Sequence, residues 1–366
     1  MDRQFTVGFI GLGLIGGSIA KALKYYYPDV KIIALTRSRA TTDHALSEGI
    51  IDEACCRVDS SFSDCDYIFL CAPVETNAAC LAQLKPLLKK DCILTDAGST
   101  KCDIHAHVTE LGLEEQFIGG HPMAGSEKTG IANSKRHLIE NAYYIITPAA
   151  KVPQEKVDAY AALVSSLKAI PLVLDCQQHD YVTGAVSHLP HIVAATLVNL
   201  VHDEDTAQET MRRIAAGGFK DITRIASSSP EMWEQICSTN APNILRLLDA
   251  YIASLEKVRE QLKNRDHAAL HKLFEDSRDY RSSFSDLSSG PIKKVYRLYC
   301  DMLDEAGGIA ILSTILASGG ITLKNIGIVN NREFDDAVLL VEFYDEASCT
   351  KAADLLRRYR YTVYER

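Results

Sequence analysis

The stretch FTVGFIGLGLIG, residues 5–16, decides the fold of the N-terminal part of the chain. Its first half is apolar and β-prone, and a helical pattern, SIAKALKYY, follows the glycines. Their spacing is that of the G-x-G-x-x-G turn, in which the glycines permit a tight turn, close approach of a pyrophosphate and close helix–strand packing. The helix N-terminus also favours phosphate charge. A structural glycine turn is the alternative, but this context predicts a dinucleotide site formed by Gly11, Gly13, Leu14, Ile15 and Gly16.

Strand-like and helical segments alternate beyond this turn. Strand-like runs occur at residues 31–37, 67–73, 92–98, 116–122, 141–148 and 170–175, with helical patterns between most of them. The runs are apolar on both faces, which is typical of a parallel sheet covered by helices on each side. We therefore expect an α/β, Rossmann-type dinucleotide-binding domain over residues 1–176.

Two further domains are predicted. Residues 177–290 show long helical periodicity, and some apolar faces are too extensive for a small monomeric bundle, so an all-helical domain with a homodimer interface is expected. The Ser-rich segment 281–291 has the composition of a linker. Residues 293–366 follow the order βαββαβ, which is typical of a small ferredoxin-like sandwich.

Composition restricts the partners and the compartment. The net charge of −9 argues against a nucleic-acid or anionic membrane surface. No signal peptide or stretch of eighteen apolar residues is visible, so no membrane span is expected. The eleven cysteines are odd in number and contain no C-x-x-C pair. Reduced cysteines of a cytoplasmic protein are the expected interpretation.

The sequence leaves open whether the cofactor is NAD or NADP, which differ at the 2′ position of the ribose. An acidic residue that would bind the ribose of NAD is missing after the second predicted strand. Its place is taken by Thr36, Arg37, Ser38 and Arg39. The two arginines suit a 2′-phosphate and so favour NADP or dual use. Alternatively, they are surface residues, and Thr36 or Ser38 holds the ribose.

Three loops follow C-terminal ends of predicted strands, where α/β proteins gather their ligands. They contain Cys71, Ala72 and Pro73, then DAGSTK at 96–101, and finally GGHPMAGSEKTG at 119–130. A nicotinamide would lie over them, near Asp96. His121 has an ordinary pKa near ~6.5, which suits removal of a hydroxyl proton as hydride departs. Ser99 could fix its tautomer, and a structural histidine is the alternative.

The helical domain contributes a second set of polar residues. In HDYVTGAVSHLPH (179–191), Asp180, His188 and His191 share one helix face, and Pro190 predicts a kink. A metal site is not expected, because no third ligand is evident. In GGFKDITR (217–224), Arg224 suits a bidentate grip on a carboxylate. A salt-bridged helix start is the structural alternative.

Taken in order, these motifs resemble a known family over essentially the whole chain. GLGLIGGS, DAGSTK, GGHPMAGSEKTG, HDYVTGAVSHLPH, GGFKDITRIASSSPEMW and the C-terminal βαββαβ pattern resemble prephenate dehydrogenase, the oxidoreductase of tyrosine biosynthesis, in the form with a C-terminal ACT domain. The resemblance implies oxidative decarboxylation of prephenate to 4-hydroxyphenylpyruvate with NAD(P). No metal Lewis acid is needed, because aromatisation drives the reaction.

The resemblance also implies residue roles. His121 accepts the hydroxyl proton, Ser99 orients His121 and the hydroxyl, and Arg224 grips a substrate carboxylate. The substrate pocket also includes Ser126, His191 and Trp233. An ionic network at its mouth consists of Glu127, Lys220 and Asp221. In the ACT-like segment, Asn325 lies in the turn and strand that match the effector-binding region, so feedback inhibition by tyrosine is expected.

Two alternatives to this function remain open at the level of sequence. Arogenate dehydrogenase, whose substrate carries an amino group in place of the side-chain ketone, fits the same motifs. A catalytically silent, tyrosine-sensing binding protein is more remote, because Ser99, His121 and Arg224 are all present. A structural or dimerising role for the ACT-like segment is the alternative to tyrosine sensing.

Overall fold

The computed structural model describes residues 5–126, 128–287, 296–301, 307–329 and 338–365. It divides the chain into two compact units, Met1–Leu270 and His271–Arg366. The first unit contains the α/β part and most of the helical part. The second contains the C-terminal sheet.

A five-stranded parallel sheet forms the first part of the chain, as predicted. Its strands, in the spatial order β3-β2-β1-β4-β5, are β1 (Thr6–Ile10), β2 (Lys31–Leu35), β3 (Glu53–Cys55), β4 (Tyr67–Leu70) and β5 (Ile93–Asp96). The helices of this part are α1 (Leu14–Tyr26), α2 (Arg39–Ser47), α3 (Val74–Leu84), α4 (Cys102–Glu110) and α5 (Gln154–Ser166).

The central strands are buried on both faces. On one face, Val7, Phe9 and Ile32 belong to a core cluster with residues of α1 and α5. On the other face, Ile10 and Ile68 belong to a cluster with residues of α3 and α4. This two-sided burial is why the strands are continuously apolar. The Rossmann-type prediction is confirmed.

A second sheet extends this arrangement with one antiparallel pair. It contains β6 (Ile118–Pro122), β7 (Tyr143–Pro148) and β8 (Ile170–Val173), in that spatial order. β6 and β7 are antiparallel, so the prediction of an entirely parallel sheet is wrong here. A parallel return needs a crossover, usually a helix, whereas only short 3₁₀ turns, Ile131–Asn133 and Arg136–Leu138, lie between these strands.

The helical part follows β8. Its helices are α6 (Cys176–Thr183), α7 (Leu189–Glu204), α8 (Thr210–Ile214), α9 (Gly217–Thr223), α10 (Pro230–Thr239), α11 (Ala241–Lys263) and α12 (His267–Leu287). Gly184–His188 form a π-helical turn between α6 and α7, directly before Pro190. Proline cannot donate a backbone hydrogen bond, and π turns are frequent at functional sites. Because α12 continues to Leu287, the predicted linker is helical over residues 281–287.

One continuous segment of this part is long and apolar. By length and composition alone, Cys176–Glu204 could cross a membrane, contrary to the expectation from the sequence. However, this segment also contains His179, Asp180 and His188, which are buried against other parts of the first unit. A core helix of a soluble protein passes the same test, so the finding is weak evidence for a membrane span.

The second unit confirms the βαββαβ order. Its elements are β9 (Tyr296–Asp301), α13 (Gly308–Ser318), β10 (Asn325–Val329), β11 (Val338–Phe343), α14 (Glu346–Arg358) and β12 (Val363–Glu365). The antiparallel sheet has the order β10-β11-β9-β12. Its helices pack on one core that includes Leu298, Leu312, Leu339 and Leu356.

Candidate active site

The glycine turn after β1 has the geometry of a phosphate cradle. Gly11 has a φ of +90°, and a Cβ there would lie 2.8 Å from the backbone nitrogen of Ala72. A Cβ on Gly16 would lie 2.8 Å from the carbonyl oxygen of Gly11. In contrast, nothing lies within 4 Å of a Cβ built on Gly13. Gly11 and Gly16 are therefore required by packing, while the described residues leave open space beside Gly13 at the start of α1. Binding of a pyrophosphate at this turn stays a prediction.

The residues after β2 are engaged locally. The Ser38 hydroxyl accepts the backbone N–H of Thr41 at 3.4 Å and caps α2. Thr36 Oγ1 lies 2.6 Å from Thr42 Oγ1. Arg39 lies 3.8 Å from Asp43 on the exposed face of α2, and Arg37 is also exposed. The choice between a ribose and a 2′-phosphate at these residues remains a prediction.

Asp96, expected at the nicotinamide, turns its side chain into the protein. Its carboxylate forms an ion pair with the buried ammonium of Lys101 and accepts the backbone N–H of Gly98 at 2.8 Å. Lys101 also donates to the carbonyl oxygen of Gly120 at 2.8 Å. The Asp96 carboxylate is thus buried and paired within the protein, and its contact with the cofactor stays a prediction. The ion pair instead joins the end of β5 to β6.

Cys71, Ala72 and Pro73 border the cradle, as predicted. Ala72 exchanges two hydrogen bonds with the side chain of Asn77, at 3.2 and 2.9 Å, which fixes the loop after β4. Cys71 packs against Gly16, and burial raises the pKa of its thiol, so that it remains uncharged. Contact of these residues with the cofactor stays a prediction.

The glycines before His121 have a packing role. A Cβ on Gly119 would lie 2.3 Å from Thr147 Oγ1, and one on Gly120 would lie 2.7 Å from the carbonyl oxygen of Asp96. Tyr144 and Tyr160 also lie within 3 Å of that position. These glycines therefore let β6 pack tightly on its neighbours. Approach of a nicotinamide to this loop stays a prediction.

His121 stands at the end of a buried hydrogen-bonded relay. Its Nδ1 lies 2.8 Å from Nε2 of His179, and Nδ1 of His179 lies 2.7 Å from Oδ1 of Asp180. A carboxylate only accepts, so Nδ1 of His179 carries a proton and its Nε2 accepts the N–H from Nδ1 of His121. Neutral His121 therefore has its lone pair on Nε2, the nitrogen that this relay leaves available.

The environment keeps this relay in a defined protonation state. Burial, together with His179, Lys101 and His188, holds the pKa of His121 well below its ordinary value. Burial alone would raise the pKa of Asp180, but hydrogen bonds from His179 and two backbone N–H groups outweigh it and lower the pKa. An ionised Asp180 and a neutral His121 follow at neutral pH, so His121 can accept a proton.

The same carboxylate joins the two parts of the first unit. Asp180 accepts the backbone N–H of Lys101 at 2.7 Å and that of Cys102 at 2.8 Å, at the start of α4. Close by, Thr100 Oγ1 lies 3.0 Å from Thr239 Oγ1 at the end of α10. Asp180 thus fixes the helical part on the loop that carries Ser99.

The hydrogen bond that holds the His121 ring is made to His179, and an orienting role for Ser99 stays a prediction. Within the described part of the chain, Ser99 makes no side-chain hydrogen bond to His121, whose ring is held by His179. Helical spacing predicted Asp180 on the face shared with His188 and His191, but it did not indicate His179, the neighbour of Asp180. The adjacent His-Asp pair in HDYVTGAVSHLPH was the available signal. Contact of Ser99 with the substrate hydroxyl stays a prediction.

An aromatic cluster forms the candidate substrate wall. The ring of His191 stacks on Trp233 with centroids 3.8 Å apart, and His188 meets the indole edge-on at 6.0 Å. His191 Nδ1 donates to the carbonyl oxygen of Ser187 at 2.9 Å. Burial and the nearby charge of Arg224 lower the pKa of His191. His191, Trp233 and Arg224 are thus brought together, as the sequence predicted.

The predicted ionic network at the mouth is described only in part. Glu127 lies outside the described residues. Lys220 and Asp221 are exposed on α9, and Ser126 is exposed after β6. Ser126 Oγ accepts the backbone N–H of Lys128 at 3.2 Å. The roles of all four residues stay predictions.

Comparison with known proteins gives a consistent result. Residues 19–172 match the family described as prephenate dehydrogenase, nucleotide-binding domain, and residues 175–276 match prephenate dehydrogenase, dimerization domain. The chain is 37% identical over 343 residues to prephenate dehydrogenase of Bacillus subtilis, which covers 93% of this chain and 92% of that protein.

Solved structures extend the comparison. The crystal structure of prephenate dehydrogenase from A. aeolicus in complex with hydroxyphenyl propionate and NAD+ is similar with a TM-score of 0.72 and 31% identity, over 78% of this chain and 99% of that chain. Arogenate dehydrogenase of Synechocystis is similar with a TM-score of 0.68 and 28% identity, over 76% of this chain and 99% of that chain.

Proposed function

The chain belongs to the prephenate dehydrogenase family, and we propose that it converts prephenate to 4-hydroxyphenylpyruvate and carbon dioxide with NAD as the hydride acceptor. The relay that leaves the Nε2 lone pair of His121 available is the observation that carries this proposal. It provides a neutral base at the carboxyl end of a Rossmann sheet, the edge where dinucleotides bind.

The reaction needs a base, an anion-binding group and orientation. Bound NAD supplies the hydride acceptor. His121 Nε2 takes the proton of the ring hydroxyl as hydride leaves the ring carbon that bears this hydroxyl. The bond to the ring carboxylate then breaks, its electron pair aromatises the ring, and the phenolate oxygen recovers the proton from His121. His179, held in turn by Asp180, keeps the His121 ring oriented for both proton transfers.

Arg224, His191 and Trp233 provide the proposed substrate contacts. The guanidinium suits a substrate carboxylate because its paired N–H groups match the two oxygens. The indole, stacked on His191, offers a flat apolar surface to the ring. Ser99 is proposed to contact the hydroxyl, and Glu127, Lys220 and Asp221 to form the mouth.

The test is a set of initial rates with purified protein. Prephenate and arogenate are each supplied with NAD+ and with NADP+. Turnover of prephenate with NAD+ is expected. Rapid turnover of arogenate without turnover of prephenate would instead establish arogenate dehydrogenase, which the likeness to the Synechocystis enzyme makes the second candidate. No turnover of either substrate would favour a silent binding protein.

Regulation and assembly are separate proposals. The βαββαβ fold of the second unit supports an ACT domain that binds tyrosine near Asn325, and added tyrosine is therefore expected to slow turnover. Retention of the full rate at saturating tyrosine would contradict this.

The match to a family dimerization domain supports a homodimer through the helical part. The free cysteines support a cytoplasmic protein.

A further inference from the structure

The junction between α10 and α11 places a buried asparagine between the relay and the substrate wall. α10 ends at Thr239, and α11 begins at Ala241 with Pro242 in its first turn. Asn240 between them is only 2% exposed. The proposed function assigns no role to this residue.

The hydrogen bonds of Asn240 determine how its amide is oriented. Nδ2 lies 2.7 Å from the carbonyl oxygen of Asp180, which can only accept, so the NH₂ group faces that oxygen. The second N–H of the same group points to Nδ1 of His188 at 3.0 Å. Oδ1 accepts from Nδ2 of Asn243 at 2.8 Å. All three contacts agree on one orientation.

This orientation fixes the tautomer of His188. Because Nδ1 of His188 accepts a hydrogen bond, the neutral ring carries its proton on Nε2. Burial lowers the pKa of His188 to about 4, with Asp180 opposing the shift and His179 and His191 adding to it. His188 Nε2 is buried and has no hydrogen-bond partner among the described residues, and the ring meets the indole of Trp233 edge-on.

Asn240 packs beside the π turn that precedes α7. A Cβ on Gly184, in the π turn, would lie 3.4 Å from Nδ2 of Asn240 and 3.0 Å from Leu247. Asn240 therefore sits close against the turn that carries His188. One amide contacts both α6, at the carbonyl oxygen of Asp180, and the imidazole of His188 beside Trp233.

We propose that Asn240 is a positioning residue for the reaction. Its NH₂ group holds Asp180 and neutral His188 in fixed positions, and so aligns His121 with the candidate substrate wall at Trp233. The inference rests on the proposed function for its kinetic consequence. Its structural core, the neutral Nε2–H tautomer of His188 beside Trp233, is independent of the substrate.

The decisive variant is Asn240→Asp. A carboxylate replaces the NH₂ group with acceptors, which repels the Asp180 carbonyl oxygen and attracts a proton to His188. The pKa of His188 is expected to rise towards neutral pH, because a nearby opposite charge favours the charged form of the imidazole. Asn243→Ala is the matched control, since it removes a neighbouring side chain in the first turn of α11 and leaves both donors of Asn240 in place.

Trp233 is the only tryptophan of the chain and reports directly on His188. Protonated imidazole quenches indole fluorescence. Emission of the wild type and of Asn243→Ala is expected to change little between about pH 6 and 8, because burial lowers the pKa of both neighbouring imidazoles. Asn240→Asp should add a titration step in this range, and Asn240→Asp/His188→Gln should lose it.

The kinetic arm uses whichever substrate the wild type turns over. kcat of Asn240→Asp is expected to fall about ten- to hundredfold, while Asn243→Ala stays within about twofold of the wild type. Flat emission of Asn240→Asp, a step that persists without His188, or an unchanged kcat per folded molecule would each overturn the inference. Failure of prephenate turnover would contradict the proposed function but leave the fluorescence result decisive.

Discussion

At the scale of single residues, the unusual feature is a base that burial makes harder to protonate. A lowered pKa keeps His121 neutral at the pH where it must accept a proton, and the relay fixes which nitrogen does so. The activity that depends on neutral His121 is present above its folded pKa and lost below it. We expect the acid limb of kcat/KM to lie below the ordinary histidine value of about 6.5.

Substitution of His179 tests the relay. His179→Ala removes the acceptor for Nδ1 of His121 and a group that lowers the pKa of His121. kcat is expected to fall about ten- to hundredfold, and the acid limb should move towards neutral pH. His179→Gln keeps an acceptor oxygen and should recover part of the rate. Equal pH profiles for the wild type and His179→Ala would show that His179 does not orient the base.

At the scale of secondary structure, β6 positions His121 because its glycines allow close packing. Gly120→Ala would place a methyl group 2.7 Å from the carbonyl oxygen of Asp96. A shift of β6 is expected, with a loss of about 1–3 kcal/mol in the free energy of unfolding and a lower kcat. Chemical denaturation and initial rates measure both effects.

Gly125→Ala is the control for this prediction. No atom of the described residues lies within 4 Å of a Cβ built on Gly125, which follows the same strand. Stability and kcat are therefore expected to stay near the wild-type values. Equal behaviour of the two variants would mean that close packing of β6 is not what positions His121.

The sequence predicted elements better than their contacts. The spacing at Gly11, Gly13 and Gly16 predicted the cradle because that turn is local and follows from three adjacent backbone positions. The role of Gly120 depends on Tyr144 and Tyr160, which are distant in sequence, so local patterns could not predict it. The ammonium that pairs with Asp96 is close in sequence, but Lys101 also binds the carbonyl oxygen of Gly120, a contact that the DAGSTK motif alone could not show.

At the scale of the whole chain, the helical part exposes an apolar stripe that a second subunit could cover. On α11, Leu245, Ile252, Leu255 and Leu262 are each 45–60% exposed and recur at seven- and ten-residue spacing. Leu255→Asp is expected to shift the mass in light scattering from dimer to monomer. Lys257→Asp, on the other side of α11, should remain dimeric. A monomeric wild type, or a dimeric Leu255→Asp, would contradict assembly through this stripe.

The order of the domains could be predicted from the sequence, whereas the contacts between the α/β part and the helical part could not. Periodicity placed Asp180 on the same helix face as His188, but it could not show that Asp180 binds the start of α4 or that His179 reaches His121. The antiparallel β7 was missed for a related reason, since strand direction depends on the connection and not on the strand's own residues.

The central claim is that His121, held by His179 and Asp180, is the base of an NAD-dependent prephenate dehydrogenase. The most direct measurement is the initial rate of NAD+ reduction with prephenate by the wild type and by His121→Asn. We predict a loss of about 10²–10⁴-fold in kcat for the variant, with thermal stability and cofactor binding retained. A variant that keeps the wild-type rate would contradict the claim.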